Sequence, residues 1–190
     1  MNEYEHQTYD RDSKATIRPR IYVASVADYN NGHLHGKWLD AAQPVEDLND
    51  QVNAMLRTST QPNAEEYAIH DHEGWHGWTP NEYTALGTIA RAGAGLVEHG
   101  PAFGHWLHYT GEITDDATER FEGAYLGEWT SMLDYAEHLT EDIGVSIQVD
   151  PESWSHYVHF DHQTLARDLE VELHAADSRI GGIFLFDPTG

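Results

Sequence analysis

The chain has 190 residues, with 33 Asp and Glu against 10 Lys and Arg, no cysteine, 6 Trp and 10 Tyr, and a formal net charge of −23 with histidine neutral. The missing cysteines exclude disulfides and thiolate-bound zinc, and so large an anionic excess argues against binding nucleic acid or anionic membrane and for basic partners. The aromatic content is that of a chain that builds a core rather than a disordered acidic one, and no run resembles a signal peptide or approaches bilayer length, so a soluble cytoplasmic protein is expected.

In chain order, residues 1–17 are polar and without period, the pattern of a flexible extension. Arg20 to Val26 is β-branched and aromatic and predicts a strand. Asp28 to Gly32 is rich in turn formers, and Leu34 to Leu39 predicts a returning strand. Pro44 suits a first helical position, with Val45, Leu48, Val52, Met55 and Leu56 at helical spacing behind it. Glu65 to His70 predicts a third strand. Thr79-Pro80-Asn81-Glu82 reads as a capping box opening a helix through Leu86 and Ile89, weakened by Gly93 and Gly95 and ended by Gly100-Pro101. Short helices are predicted over Ala102 to His108 and Asp115 to Phe121. A strand at Ala124 to Leu126 follows, then a helix capped by Thr130 and ended near Gly144. Asp161 caps another helix. Val171 to His174 and Ile183 to Phe186 read as strands joined through Gly181-Gly182. The expectation is an α+β protein of three small parts: an N-terminal α+β domain over residues 18–78, a mainly helical middle over 79–122, and a C-terminal α+β domain over 123–190.

The charge is uneven. Residues 1–95 carry 14 acids and 7 bases, while residues 96–190 carry 19 acids and 3 bases. General solubility or adaptation to salt would spread charge more evenly, so the asymmetry favours a dedicated acidic face over either. The helix predicted from Thr130 to Ile143 carries its clearest geometry. Met132, Ala136, Leu139 and Ile143 fall on one side, and Asp134, Glu137 and Glu141 within roughly 60° of one another on the other. At a rise of about 1.5 Å per residue, those carboxylates are spaced by roughly 4.5 and 6 Å along the axis. Duplex DNA spaces its charges by about 3.4 Å per strand. An ordinary exposed helix face would mix Glu with Lys at i+4, and no Lys or Arg enters this row. Glu112, Asp115, Asp116, Glu119 and Glu122 precede it, opposed by Arg120, and Asp150, Glu152 and Asp161 follow without a base. The candidate phosphate-replacing surface is therefore Glu112, Asp115, Asp116, Glu119, Glu122, Glu128, Asp134, Glu137, Glu141 and Asp142.

One motif points elsewhere. His72-Glu73-Gly74-Trp75-His76 matches H-E-x-x-H, in which a helix places two zinc-binding imidazoles and a general-base Glu on one face. Here the motif follows a strand-like run, contains Gly74, and stops where a helix begins. A chance pairing among 14 histidines is the better reading, and no catalytic residue, metal or cofactor is expected, although His72 and His76 as ligands with Glu73 as the base form an alternative zinc-hydrolase reading, and His70, His72 and His76 are candidates for incidental metal binding.

Pro19 to Ser25 with Asp28-Tyr29-Asn30, then Leu34 to Asp40, resembles the opening of the ArdA antirestriction family. Glu65 to Asp71 is similar to that family's second motif, while Tyr135-Ala136-Glu137, Tyr157 to Glu170 and Gly182 to Phe186 resemble its C-terminal third. The resemblance runs from about residue 19 to 187 and is weakest over 88–123. It implies a non-enzymatic DNA mimic carried by mobile elements that occupies the DNA groove of type I restriction–modification enzymes, at their methyltransferase core. It also implies an elongated chain of three small domains that forms a homodimer through the C-terminal one. Ile183 to Phe186 and an exposed part of the 130–143 helix are the two candidate dimer contacts. An acidic adaptor for another basic protein is the remaining alternative.

Overall fold

The computed structural model describes residues 18–150, 152–178 and 181–189, so the extension expected at 1–17 lies outside the described residues. Seven α-helices and two three-stranded antiparallel sheets are present among them, a mixed α+β architecture. The chain divides into two compact units, one running to Trp75 and including Pro80–Gly100, the other made of His76–Thr79 and everything from Pro101 onward.

In the first unit, β1 (Arg20–Ser25) is central, with β2 (Gly36–Asp40) and β3 (Tyr67–Glu73) antiparallel on either side. Ile21 and Val23 point inward with Leu39 and Ile69, as the period of two requires. The expected turn at Asp28 is instead a short helix, α1 (Val26–Asn30), because Ser25 Oγ accepts the Asp28 N–H at 3.3 Å and caps it. Asp28 is 2 % exposed and accepts the Ser59 hydroxyl at 2.5 Å, tying α1 to the chain beyond α2 (Val45–Arg57). On α2, Leu48, Val52, Met55 and Leu56 are buried, as their spacing predicts, with Pro44 at the N-cap.

The capping box read at Thr79 and Glu82 does not form. Asn81 N–H donates to Thr84 Oγ1 at 2.9 Å, and Tyr83 N–H to Asn81 Oδ1 at 2.9 Å, which closes a turn. Helix α3 begins only afterwards and runs Leu86–His99. Gly93 lets this helix approach the segment after β2: a Cβ there would lie 2.7 Å from Ala41 C and O.

The second unit holds α4 (Pro101–Thr110), α5 (Ala117–Ala124), β4 (Tyr125–Trp129), α6 (Met132–Asp142), α7 (His162–Glu172), β5 (His174–Asp177) and β6 (Ile183–Phe186), with strand order β4-β6-β5. Phe121 centres an aromatic core, its ring 5.2 Å from Phe103, 5.9 Å from Trp106 and 5.0 Å from Tyr125. A second cluster packs Met132 and Ala136 of α6 on Ala166 of α7 and Leu185 of β6. Phe184, Leu185 and Phe186 are buried, so this strand is core and cannot be the dimer contact considered for it. Ile143, placed by its spacing on the apolar side of α6, lies past the helix end and is 67 % exposed. Among the described residues no helix is long and apolar enough to cross a membrane.

Candidate acidic interface

All ten acids of the expected surface belong to the second unit. Glu112, Asp115 and Asp116 lie between α4 and α5, Glu119 and Glu122 on α5, Glu128 on β4, and Asp134, Glu137, Glu141 and Asp142 on α6. Nine are exposed and Asp134 is half-buried. Among the described residues this unit's Lys and Arg are Arg120 and Arg167 alone, and the Arg120 guanidinium lies 5.8 Å from the Trp106 ring centre.

The side chains sort by what holds them. Asp116 accepts a hydrogen bond from Thr114 Oγ1, which keeps its carboxyl below the usual carboxylate range, and Glu128 accepts one from Ser178 Oγ. Asp142 lies 3.2 Å from His138 Nε2 one turn back. Asp134 Oδ2 accepts both Thr130 N–H at 3.1 Å and Thr130 Oγ1 at 2.9 Å. Ser131, not Thr130, is the N-cap of α6, its Oγ accepting the Asp134 N–H at 3.1 Å. Glu112, Glu119, Glu137 and Glu141 are exposed and make no ion pair or side-chain hydrogen bond among the described residues. On α6 the buried residues are Met132, Ala136 and Thr140. Glu137 and Glu141 each follow a buried residue by one or five positions, which puts them about 100–140° around the axis from that face.

His138 was the residue missed. It sits among the α6 acids with its ring 4.9 Å from Trp129, and its i, i+4 relation to Asp142 was visible in the sequence.

The zinc-motif residues form no helix. His72 and Glu73 end strand β3, and His76 follows in a turn with φ of 49°. Glu73 pairs with Arg20 at 2.8 Å, and Trp75 donates its indole N–H to Arg20 O at 3.0 Å. On a strand, successive side chains point to opposite faces, so the shared helical face that this chemistry needs is absent.

Fold and surface together define an acidic α+β protein whose second unit presents unpaired carboxylates. No curated protein matches the chain. The family model described as antirestriction protein (ArdA) matches residues 21–179, and the chain belongs to that family. Its role is accordingly antirestriction.

Proposed function

We propose that the chain inhibits type I restriction–modification enzymes as a DNA mimic, occupying the DNA groove of the methyltransferase core without turnover. One observation carries the reading: Glu137 and Glu141 stand exposed and unpaired on the side of α6 away from its packed face, with Glu112 and Glu119 unpaired in the same unit. Unpaired carboxylates keep their full interaction with incoming Lys and Arg, whereas committed ones must first be released. Family membership supplies the class of target. A homodimer is supported by exposed apolar side chains past the end of α6, where Ile143 is 67 % and Tyr157 80 % exposed. A cytoplasmic setting and carriage by mobile elements belong to the same reading.

The test is competition. Increasing protein is added to a type I methyltransferase core bound to labelled duplex at several salt concentrations. Displacement of the duplex is the expected result, with direct binding of the protein to the core weakening as salt rises, as an ionic interface requires. Binding to the core without displacement would support an acidic adaptor instead and refute mimicry.

A further inference from the structure

We infer that Asp134 is a positioning residue of the acidic face: it fixes the first turn of α6, which carries Glu137 and Glu141, and is not itself read as a phosphate substitute. The inference rests on the DNA-mimic reading and divides the labour within it.

Asp134 differs from its neighbours on α6 in three respects. It is half-buried where Glu137 and Glu141 are exposed. Its Oδ2 is occupied by Thr130, which donates both its backbone N–H and its hydroxyl. Its own N–H donates to the N-cap hydroxyl of Ser131. The N-cap serves the third helical residue, and that residue's side chain returns to the chain just before the helix, a reciprocal closure of the unpaired N–H groups at a helix start. A carboxylate in the first turn also faces the positive end of the helix dipole. A guanidinium seeking both oxygens of Asp134 would have to displace Thr130, whereas Glu137 and Glu141 offer both oxygens freely.

The closure bears on the two glutamates through packing. Met132 begins α6 and lies in the cluster with Ala136, Ala166 and Leu185 that sets how the helix is rotated. If the first turn frays, Met132 loosens from that cluster, and the direction of Glu137 and Glu141 is no longer fixed.

Three kinds of variant separate charge from position. Asp134→Asn keeps an acceptor for Thr130 and removes the charge, Asp134→Ala removes both, and Glu137→Gln and Glu141→Gln remove charge alone. Each is measured for displacement of labelled duplex from a type I methyltransferase core across a salt series, and for amide exchange at Thr130 and Asp134. Asp134→Asn is expected to keep the wild-type salt slope with affinity within about twofold, while Glu137→Gln and Glu141→Gln each make the slope shallower. Asp134→Ala is expected to weaken displacement, to speed exchange at both amides and to lower the melting temperature by about 2–4 °C, all rescued by Asn. A salt slope lowered by Asp134→Asn as much as by Glu137→Gln would overturn the inference while leaving mimicry intact. Wild-type protein that displaces no duplex would overturn the mimic reading and the inference with it, a result visible in the unmutated control.

Discussion

Gly93→Ala should destabilise the first unit, against the ordinary rule for helices. Alanine in a helix interior is favoured over glycine by about 1 kcal/mol. At Gly93, however, the new Cβ would lie 2.7 Å from both C and O of Ala41 and 2.9 Å from Ala42 N. These obstructing atoms are backbone and cannot swing aside as a side-chain end would. Overpacking of this kind costs about 1–3 kcal/mol, and rigid obstruction calls for the upper half of that range. Subtracting the propensity gain leaves a net loss of about 1–2 kcal/mol, or a roughly 5- to 30-fold shift toward the open state. Gly87 of the same helix supplies the control, since its Cβ would meet only Arg91 Nη1 at 3.8 Å. Gly87→Ala should therefore slow local opening, by less than about 1 kcal/mol because the site lies in the first helical turn. Amide hydrogen exchange along α3 reads this opening without requiring the whole chain to unfold in one step. If Gly93→Ala slowed exchange as Gly87→Ala does, the close approach of α3 to the Ala41 segment would be refuted.

Four further outcomes can be checked. Hydrogen bonds from Ser25 and then Ser59 hold the Asp28 carboxyl below its ordinary value of 3.8; its contribution is thus complete above that value and lost as pH falls through the lowered one, and Asp28→Asn should lower the thermal midpoint at neutral pH and flatten the acid limb of the unfolding curve. Burial first, then His108 and His105, hold His174 below its ordinary 6.5, so the second unit should lose stability as pH drops below about 6.5, and His174→Phe, which keeps the stack on Tyr109 at 3.8 Å, should remove that dependence in pH-jump melts. His72→Ala should displace duplex as wild type does, since β3 presents no zinc-protease face; a variant that lost activity and regained it with zinc would overturn that. Glu137→Gln combined with Glu141→Gln should slightly raise the melting temperature at low salt, and the gain should vanish at high salt because it comes from relieved like-charge repulsion.

Sequence reasoning succeeded where a local pattern and the packed fold demand the same thing. The period of α2 placed Leu48, Val52, Met55 and Leu56 in the core because a helix with one apolar face has one way to bury it. Asp161 caps α7 as its place before the helix predicts, its carboxylate accepting the Thr164 N–H at 3.0 Å. Failures came where neighbouring residues compete for the same role. Thr130 and Ser131 are both good caps, and the choice fell to Ser131 because Thr130 is engaged by Asp134. The Thr79–Glu82 signature lost to Asn81 and Thr84, helped by Ile69 N–H donating to Glu82 O at 2.9 Å, a contact from β3 that no local pattern contains. Gly93 looked like a helix weakener because its reason, the backbone of Ala41, is some fifty residues away. The acids were legible as a set, but which of them are free and which are committed depends on partners such as Ser178, fifty residues from Glu128.

That division explains how a chain can hold so much like charge and still fold. Repulsion between exposed acids is weak, a few tenths of a kcal/mol per helical pair, whereas burying one apolar side chain contributes about 1.5–3 kcal/mol. Met132, Ala136, Ala166 and Leu185 therefore fix α6 with energy to spare over what Glu137 and Glu141 take away. Acids nearer the helix ends and the sheet are put to local use: Asp134 at the start of α6, Asp142 with His138, Asp116 with Thr114, Glu128 with Ser178. Only where no such partner is within reach does a carboxylate remain available to an outside cation, and on α6 those positions are Glu137 and Glu141, turned about 100–140° from the packed face. A surface built this way can trade single glutamates for glutamine without endangering the core, so loss of binding in such variants measures charge and not misfolding.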